Sequence, residues 1–240
     1  MKRADGRAPD QIRELKITRN FIGSADGSVL IECGKTRVIV TAVFENLVPP
    51  FLVGTGQGWL SAEYSMLPAS TPQRKQRDGR KGGNVDGRSI EIQRIIGRAL
   101  RTVVDTKPFG QRTLWVDCDV VEADGSTRTA SINGAYVAVY DSLRRLRENR
   151  PPDRDPLKTG IAAVSVGIVE GTPMLDLTYE EDSRAEGDFN FIMSHEGDLI
   201  EIQGGAEKRP IPRVKYEECV ALAHKGLKLV MSQQNLALLR

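Results

Sequence analysis

The chain is poor in the residues that most often carry metal and redox chemistry, with three cysteines and two histidines among 240 residues. Cys33, Cys118 and Cys219 form no CxxC pair and have no zinc-ligand spacing with His195 or His224, which excludes a zinc finger or a dithiol centre. Cys33 and Cys118 lie in apolar, strand-like runs and read as small core residues of a reducing compartment. No run approaches the roughly 20 apolar residues that span a bilayer. The opening MKRADGRAPDQIRELK is charged where a secretory signal needs an apolar stretch. These absences predict a cytoplasmic protein with no membrane partner. The net charge of +2 decides little by itself, so the distribution of charge has to carry the argument.

What is present is an alternation of β-type and helical patterns in a chain long enough to bury a core without staples. Period-two alternation or β-branched runs predict strands over 28–33, 36–44, 59–64, 113–122, 161–169, 174–179, 189–194 and 199–203. Apolar stripes at helical spacing predict helices over 90–105, 129–147 and about 216–231, each lying on a sheet. Strands interrupted by a few helices give an α+β class with helices packed on mixed sheets. The segment RENRPPDRDP, 147–156, breaks the preceding helix with two prolines and marks a boundary between a part of about 1–150 and one of about 151–240.

Charge is concentrated in three places. TPQRKQRDGRKGGNVDGR, 71–88, is basic, rich in glycine and has Val85 as its one apolar residue, so it reads as a mobile cationic loop. It is either an ordinary solvated loop or a handle for a polyanion, and composition leaves the two even. Arg88, just before a helix start, suits a phosphate near the positive end of the helix dipole or else pairs with Glu91. DGSTRT, 124–129, runs from a strand into a helix. Its hydroxyls, amides and Arg128 could hold an anion, but local chemistry ranks an ordinary N-cap first. YEEDSRAEGDFN, 179–190, sets five carboxylates against one arginine. Such crowding costs stability unless a cation or a reaction uses it, and oxygen ligands of this kind suit magnesium or manganese; an exposed acidic turn is the plainer alternative.

The motifs RADGR (3–7), GQGWLSAEYSMLP (56–68), GRSIEIQRIIGRALR (87–101), LWVDCDVVEADGSTRTASINGA (114–135) and DLTYEEDSRAEGDFN (176–190), in this order, resemble the RNase PH family of phosphate-dependent tRNA nucleotidyltransferases over essentially the whole chain. The resemblance implies one RNase PH-type domain over 1–240, made of two related β-α subdomains. It implies a phosphorolytic 3′-to-5′ exoribonuclease that trims precursor tRNA and other RNA 3′ ends, releasing nucleoside 5′-diphosphates, in a homohexamer built as a trimer of dimers. By position, Arg88, Ser126, Thr127 and Arg128 match the family's phosphate site, with inorganic phosphate as co-substrate. Asp182 and Asp188 match its catalytic aspartates, associated with a divalent metal, Mg2+ first, and with protonation of the leaving oxygen. Arg74, Arg77 and Arg80 match residues that grip RNA. An anionic nucleophile needs no histidine base, so the scarcity of histidine is no objection. The chain departs from the family twice: Ser126 stands where glycine is usual, and Ala69 where an arginine follows MLP. A silent RNA-binding ring subunit and a hydrolytic metal nuclease are the alternatives.

Overall fold

The computed structural model describes residues 3–78, 85–149 and 154–239. Nine strands form two sheets. The first orders β1 (Leu15–Arg19), β2 (Gly27–Cys33), β3 (Thr36–Glu45), β5 (Thr113–Glu122) and β4 (Trp59–Met66) as β1-β2-β3-β5-β4. All its neighbours are antiparallel except β4 and β5, which run parallel through the crossover helix α1 (Gly87–Val103). The second sheet is antiparallel throughout, in the order β7 (Thr172–Leu175), β6 (Ile161–Val169), β8 (Gly187–Ser194), β9 (Leu199–Ala206). The long helices α2 (Thr127–Asn149) and α4 (Arg213–Leu239), the single turn α3 (Tyr179–Asp182) and two short 3-10 turns, Pro50–Leu52 and Lys107–Phe109, complete the described elements. The α+β class read from the sequence is the class of the structure.

Period two explains the first core. Val38, Val40 and Ala42 of β3 point the same way as Leu114, Val116, Cys118 and Val120 of β5, and all are fully or almost fully buried under α1 and α2. On the far side of those helices lie Ile161, Ala163 and Ile192 of the second sheet. The alternate residues Ala162, Val164 and Val166 face Cys219, Ala223 and Leu227 of α4 in a second core. Every residue of β6 is therefore buried, which is why its sequence is a continuous apolar run. The layers run sheet, helix pair, sheet, helix. No helix of the described residues is long and apolar enough to cross a membrane.

Three expectations are corrected, and one strand was missed. α2 does not lie on one sheet but between two, and its residues from Thr129 to Val139 are all buried. Helices α1 and α2 begin earlier than their apolar stripes, at Gly87 and Thr127, so Arg88 lies inside the first turn of α1. The strand expected over 174–179 ends at Leu175, because Asp176 takes φ 54° and turns the chain into α3. β1 was missed: its alternation, Leu15 and Ile17, covers only five residues.

Candidate active site

Two helix N-termini open on one cleft of about 700 Å³, which deepens into an inner pocket of about 70 Å³. Arg88 is the second residue of α1 and Arg128 the second of α2, and both line both spaces. The inner pocket is completed by Ser126, Thr127, Asp182 and Asp188, with Ser165 and Asn190 beside them. All six residues matched to phosphate and catalysis thus meet in a space the size of a small oxyanion with a little water.

The two arginines are held differently. Arg128 donates to Gln203 Oε1 of β9 at 2.9 Å and lies 3.7 Å from Glu91. Arg88 does not take Glu91 as partner, and among the described residues its guanidinium has none. A cation without a partner, at the positive end of a helix, is free to take an anion.

The loop before α2 is shaped by close approach. Gly125 has φ 77°, and a Cβ there would come within 2.4 Å of the Leu177 carbonyl oxygen. Only glycine lets the loop lie this close to the segment that carries the carboxylates. Thr36 Oγ1 donates to the Gly125 carbonyl at 2.7 Å, and the Tyr179 amide donates to Asp124 Oδ1 at 3.2 Å. Buried Tyr64 donates to Thr127 Oγ1 at 2.9 Å; burial pushes the phenol pKa up, so it keeps the proton it donates. By helix geometry the first amides of α2 have no intrahelical acceptor, and no side chain of the described residues caps them. The ordinary cap ranked first by local chemistry is absent.

The acidic segment resolves in the same direction. Glu181 receives both prongs of buried Arg3, at 2.8 and 2.7 Å, Glu180 pairs with Arg184, and Glu186 pairs with Arg209. Asp182 and Asp188 have no ion pair among the described residues, and both face the cleft. Asp182 is an exposed residue, yet desolvation of its carboxyl by the surrounding protein and then the charge of Asp188 raise its pKa against the pull of Arg88 and Arg128. Gly204 of β9, φ 128°, lets the backbone pass Asp188 where a Cβ would meet its carbonyl oxygen at 2.0 Å. Among the described residues no group of three or more His, Cys, Asp or Glu side chains could hold a metal.

Models of the 3′ exoribonuclease family, those of RNase PH, match the chain twice: domain 1 over residues 11–144 and domain 2 over residues 160–226. The chain belongs to the 3′ exoribonuclease family. Solved structures of similar fold include rice (Oryza sativa) Rrp46, at 19% identity over 97% of this chain and 98% of that one, with a TM-score of 0.77. A second is the Archaeoglobus fulgidus exosome with RNA bound to the active site, at 20% identity over 97% and 92%, with a TM-score of 0.81. An archaeal exosome core gives 20%, 97%, 91% and 0.77. At such identities the likeness is one of fold.

The family match places the cleft between its two domains, since Arg88 and Arg128 fall in the first and Asp182 and Asp188 in the second. Arg74 and Arg77 are exposed and outside the cleft lining, and Arg80 lies outside the described residues. The described part of the cationic loop is more anchored than its composition suggested: Lys75 pairs with Asp86 at 3.0 Å, and Asp78 accepts from Ser89 Oγ at 2.9 Å.

Sequence reading gave no role to the arginines that brace the site from behind. Arg13 donates to both oxygens of buried Asp176, at 2.9 and 2.6 Å, and to the Asp124 carbonyl. Arg3 and Arg7 reach the Asp176 carbonyl at 2.8 and 3.1 Å. Burial alone would raise the Asp176 carboxyl, but Arg13 and then Arg7 hold it down at about 2. Cys33 packs against the same carboxylate, and burial pushes its thiol up to about 12, which fits its reading as an inert core residue. Gln203, Ser165 and Asn190 were missed as well. Each is an unremarkable polar residue of a strand, made a site residue only by the pairing of the second sheet.

Proposed function

We propose that this protein is a phosphorolytic 3′-to-5′ exoribonuclease that trims the 3′ ends of precursor tRNA and other RNA, working in the cytoplasm as a homohexamer, a trimer of dimers. The observation that carries the reading is the inner pocket. In it Arg88, whose guanidinium has no partner among the described residues, a braced Arg128 and the open amides of α2 face Asp182 and Asp188, which have no ion pair among the described residues. Inorganic phosphate held by the arginines, Thr127 and the α2 amides presents an oxygen to the phosphorus of the last phosphodiester. The new P–O bond forms as the bond to the 3′ oxygen breaks. The terminal nucleotide leaves as a nucleoside 5′-diphosphate, and the 3′ oxygen takes a proton.

Without a metal bound, Asp182, whose pKa is raised, holds a proton to higher pH than an ordinary aspartate and is the proposed donor of that proton. The guanidinium groups offset the negative charge of the transition state. Asp182 and Asp188 also suit Mg2+, which takes one or two carboxylates and fills its remaining positions with water and substrate phosphates. When bound, the metal supplies further neutralisation of phosphoryl charge. The reverse reaction adds nucleotides to RNA 3′ ends.

The test incubates a 3′-extended tRNA with the protein and magnesium, with and without inorganic phosphate. Nucleoside diphosphates formed only with phosphate are the expected result. Monophosphates released without phosphate, or no product under either condition, would overturn the proposal in favour of a hydrolase or a silent ring subunit.

A further inference from the structure

Ser126, the residue before α2, adopts a backbone conformation that suits glycine, with φ 56°. A serine just before a helix ordinarily takes an extended φ and turns its hydroxyl onto the amide two or three residues on. Here the hydroxyl is drawn the other way. Ser126 Oγ lies 2.7 Å from Ser165 Oγ and donates toward Asp176 Oδ1 at 3.1 Å and the Leu177 carbonyl at 3.3 Å. Asp176 is itself left-handed, φ 54°, and is fixed in the interior by both prongs of Arg13. Two non-glycine residues in a disfavoured conformation, bonded to each other at the rim of a site, mark strain that the surroundings enforce.

We infer that Asp176, assisted by Ser165, is a positioning residue: it holds Ser126 out of the capping conformation and so leaves the first amides of α2 for an inorganic oxyanion. The inference rests on the reading of the inner pocket as a phosphate seat. Released from Asp176, Ser126 relaxes to an extended φ, its hydroxyl caps α2, and phosphate then competes with the protein's own side chain for the same amides.

The consequence is a coupling between residues 126 and 176 that a general structural role would not produce. Inorganic phosphate alone, without RNA, is titrated calorimetrically into the full chain. Asp176→Ala is expected to raise Kd about fivefold, the worth of one helix cap. In a Ser126→Ala background, where no hydroxyl can cap, the same change is expected to move Kd by less than about twofold. Ser165→Ala cuts the second tether without leaving Arg13 unpaired, and it serves if Asp176→Ala does not fold, with the same loss and the same cancellation. A loss that persists in the Ser126→Ala background, or no loss from either tether variant, overturns the inference while the phosphate seat stands. An unmodified protein that binds no phosphate, or binding indifferent to Arg128→Ala, overturns the seat itself and the inference with it.

Discussion

At the scale of single residues, the cleft depends on two like charges kept close. Asp182 has its pKa raised by the protein around it and by Asp188, and only partly lowered by the arginines opposite. The sign is that of a carboxyl that keeps its proton to higher pH than usual. Replacing Asp188 with asparagine removes the like charge and leaves the surrounding protein in place. In Asp188→Asn, a carbon-detected NMR titration of the Asp182 carboxyl is therefore expected to give a midpoint below that of the unmodified protein. An unchanged midpoint would mean that the two carboxylates do not titrate as a pair.

At the scale of elements, the site is two helix N-termini, one turn of helix and a strand end, held in place by the segment that precedes β1. Arg13 joins three of these pieces, because it grips Asp176 and the Asp124 carbonyl together. Asp176 is held at about 2, below an unfolded value near 4, so the pair contributes stability that is fully present above about pH 4 and is lost as pH falls toward 2. That contribution is on the order of 2 kcal/mol. Arg13→Met leaves Asp176 buried with only its longer contact to Arg7, at 3.4 Å, as an ion pair. Urea unfolding at pH 7 is expected to show a loss of about 3–5 kcal/mol, and the acid limb below pH 4 is expected to flatten. The elements that sequence displayed were those whose signal is local: the alternation of β3 and β5, the stripes of α1 and α2, the continuous apolar run of β6. β1, LKITR, alternates only at Leu15 and Ile17, too short a run to stand out, and its pairing with β2 and its cover by α4 complete it as a strand. α3 carries a capping box, Thr178 to Glu181, within DLTYEED, yet it is a single turn placed by Arg3 and Asp176. The cap at Ser126 was misjudged for the same reason. Local chemistry favours a cap, and partners 39 and 50 residues away in sequence forbid it.

At the scale of the whole molecule, four alternating layers put the cleft where the two central helices begin, against α3 and the second sheet, and the described end of the basic loop leads into α1. The loop runs from Pro68, whose carbonyl accepts the Lys75 amide at 2.9 Å, to the Asp86 cap of Arg88. Arg74 and Arg77 are exposed along this path and outside the cleft lining, so their charge is available to the RNA body and not to the scissile bond. Ala69 leaves the start of the loop without a cation, so on the proposed reading the remaining arginines weigh more in RNA binding. Each phosphate contact contributes to the salt dependence of binding a slope of about 0.9 on a duplex or about 0.7 on a single strand. Arg74→Ala and Arg77→Ala are each expected to weaken tRNA binding and to flatten the plot of log K against log salt by about that amount. Single-turnover chemistry at saturating RNA is expected to change little, because neither residue touches the pocket. Filter binding over a salt series, paired with rapid-quench kinetics, measures both. A variant that keeps the full salt slope and loses the chemical step instead would move that arginine from the RNA path into the reacting centre.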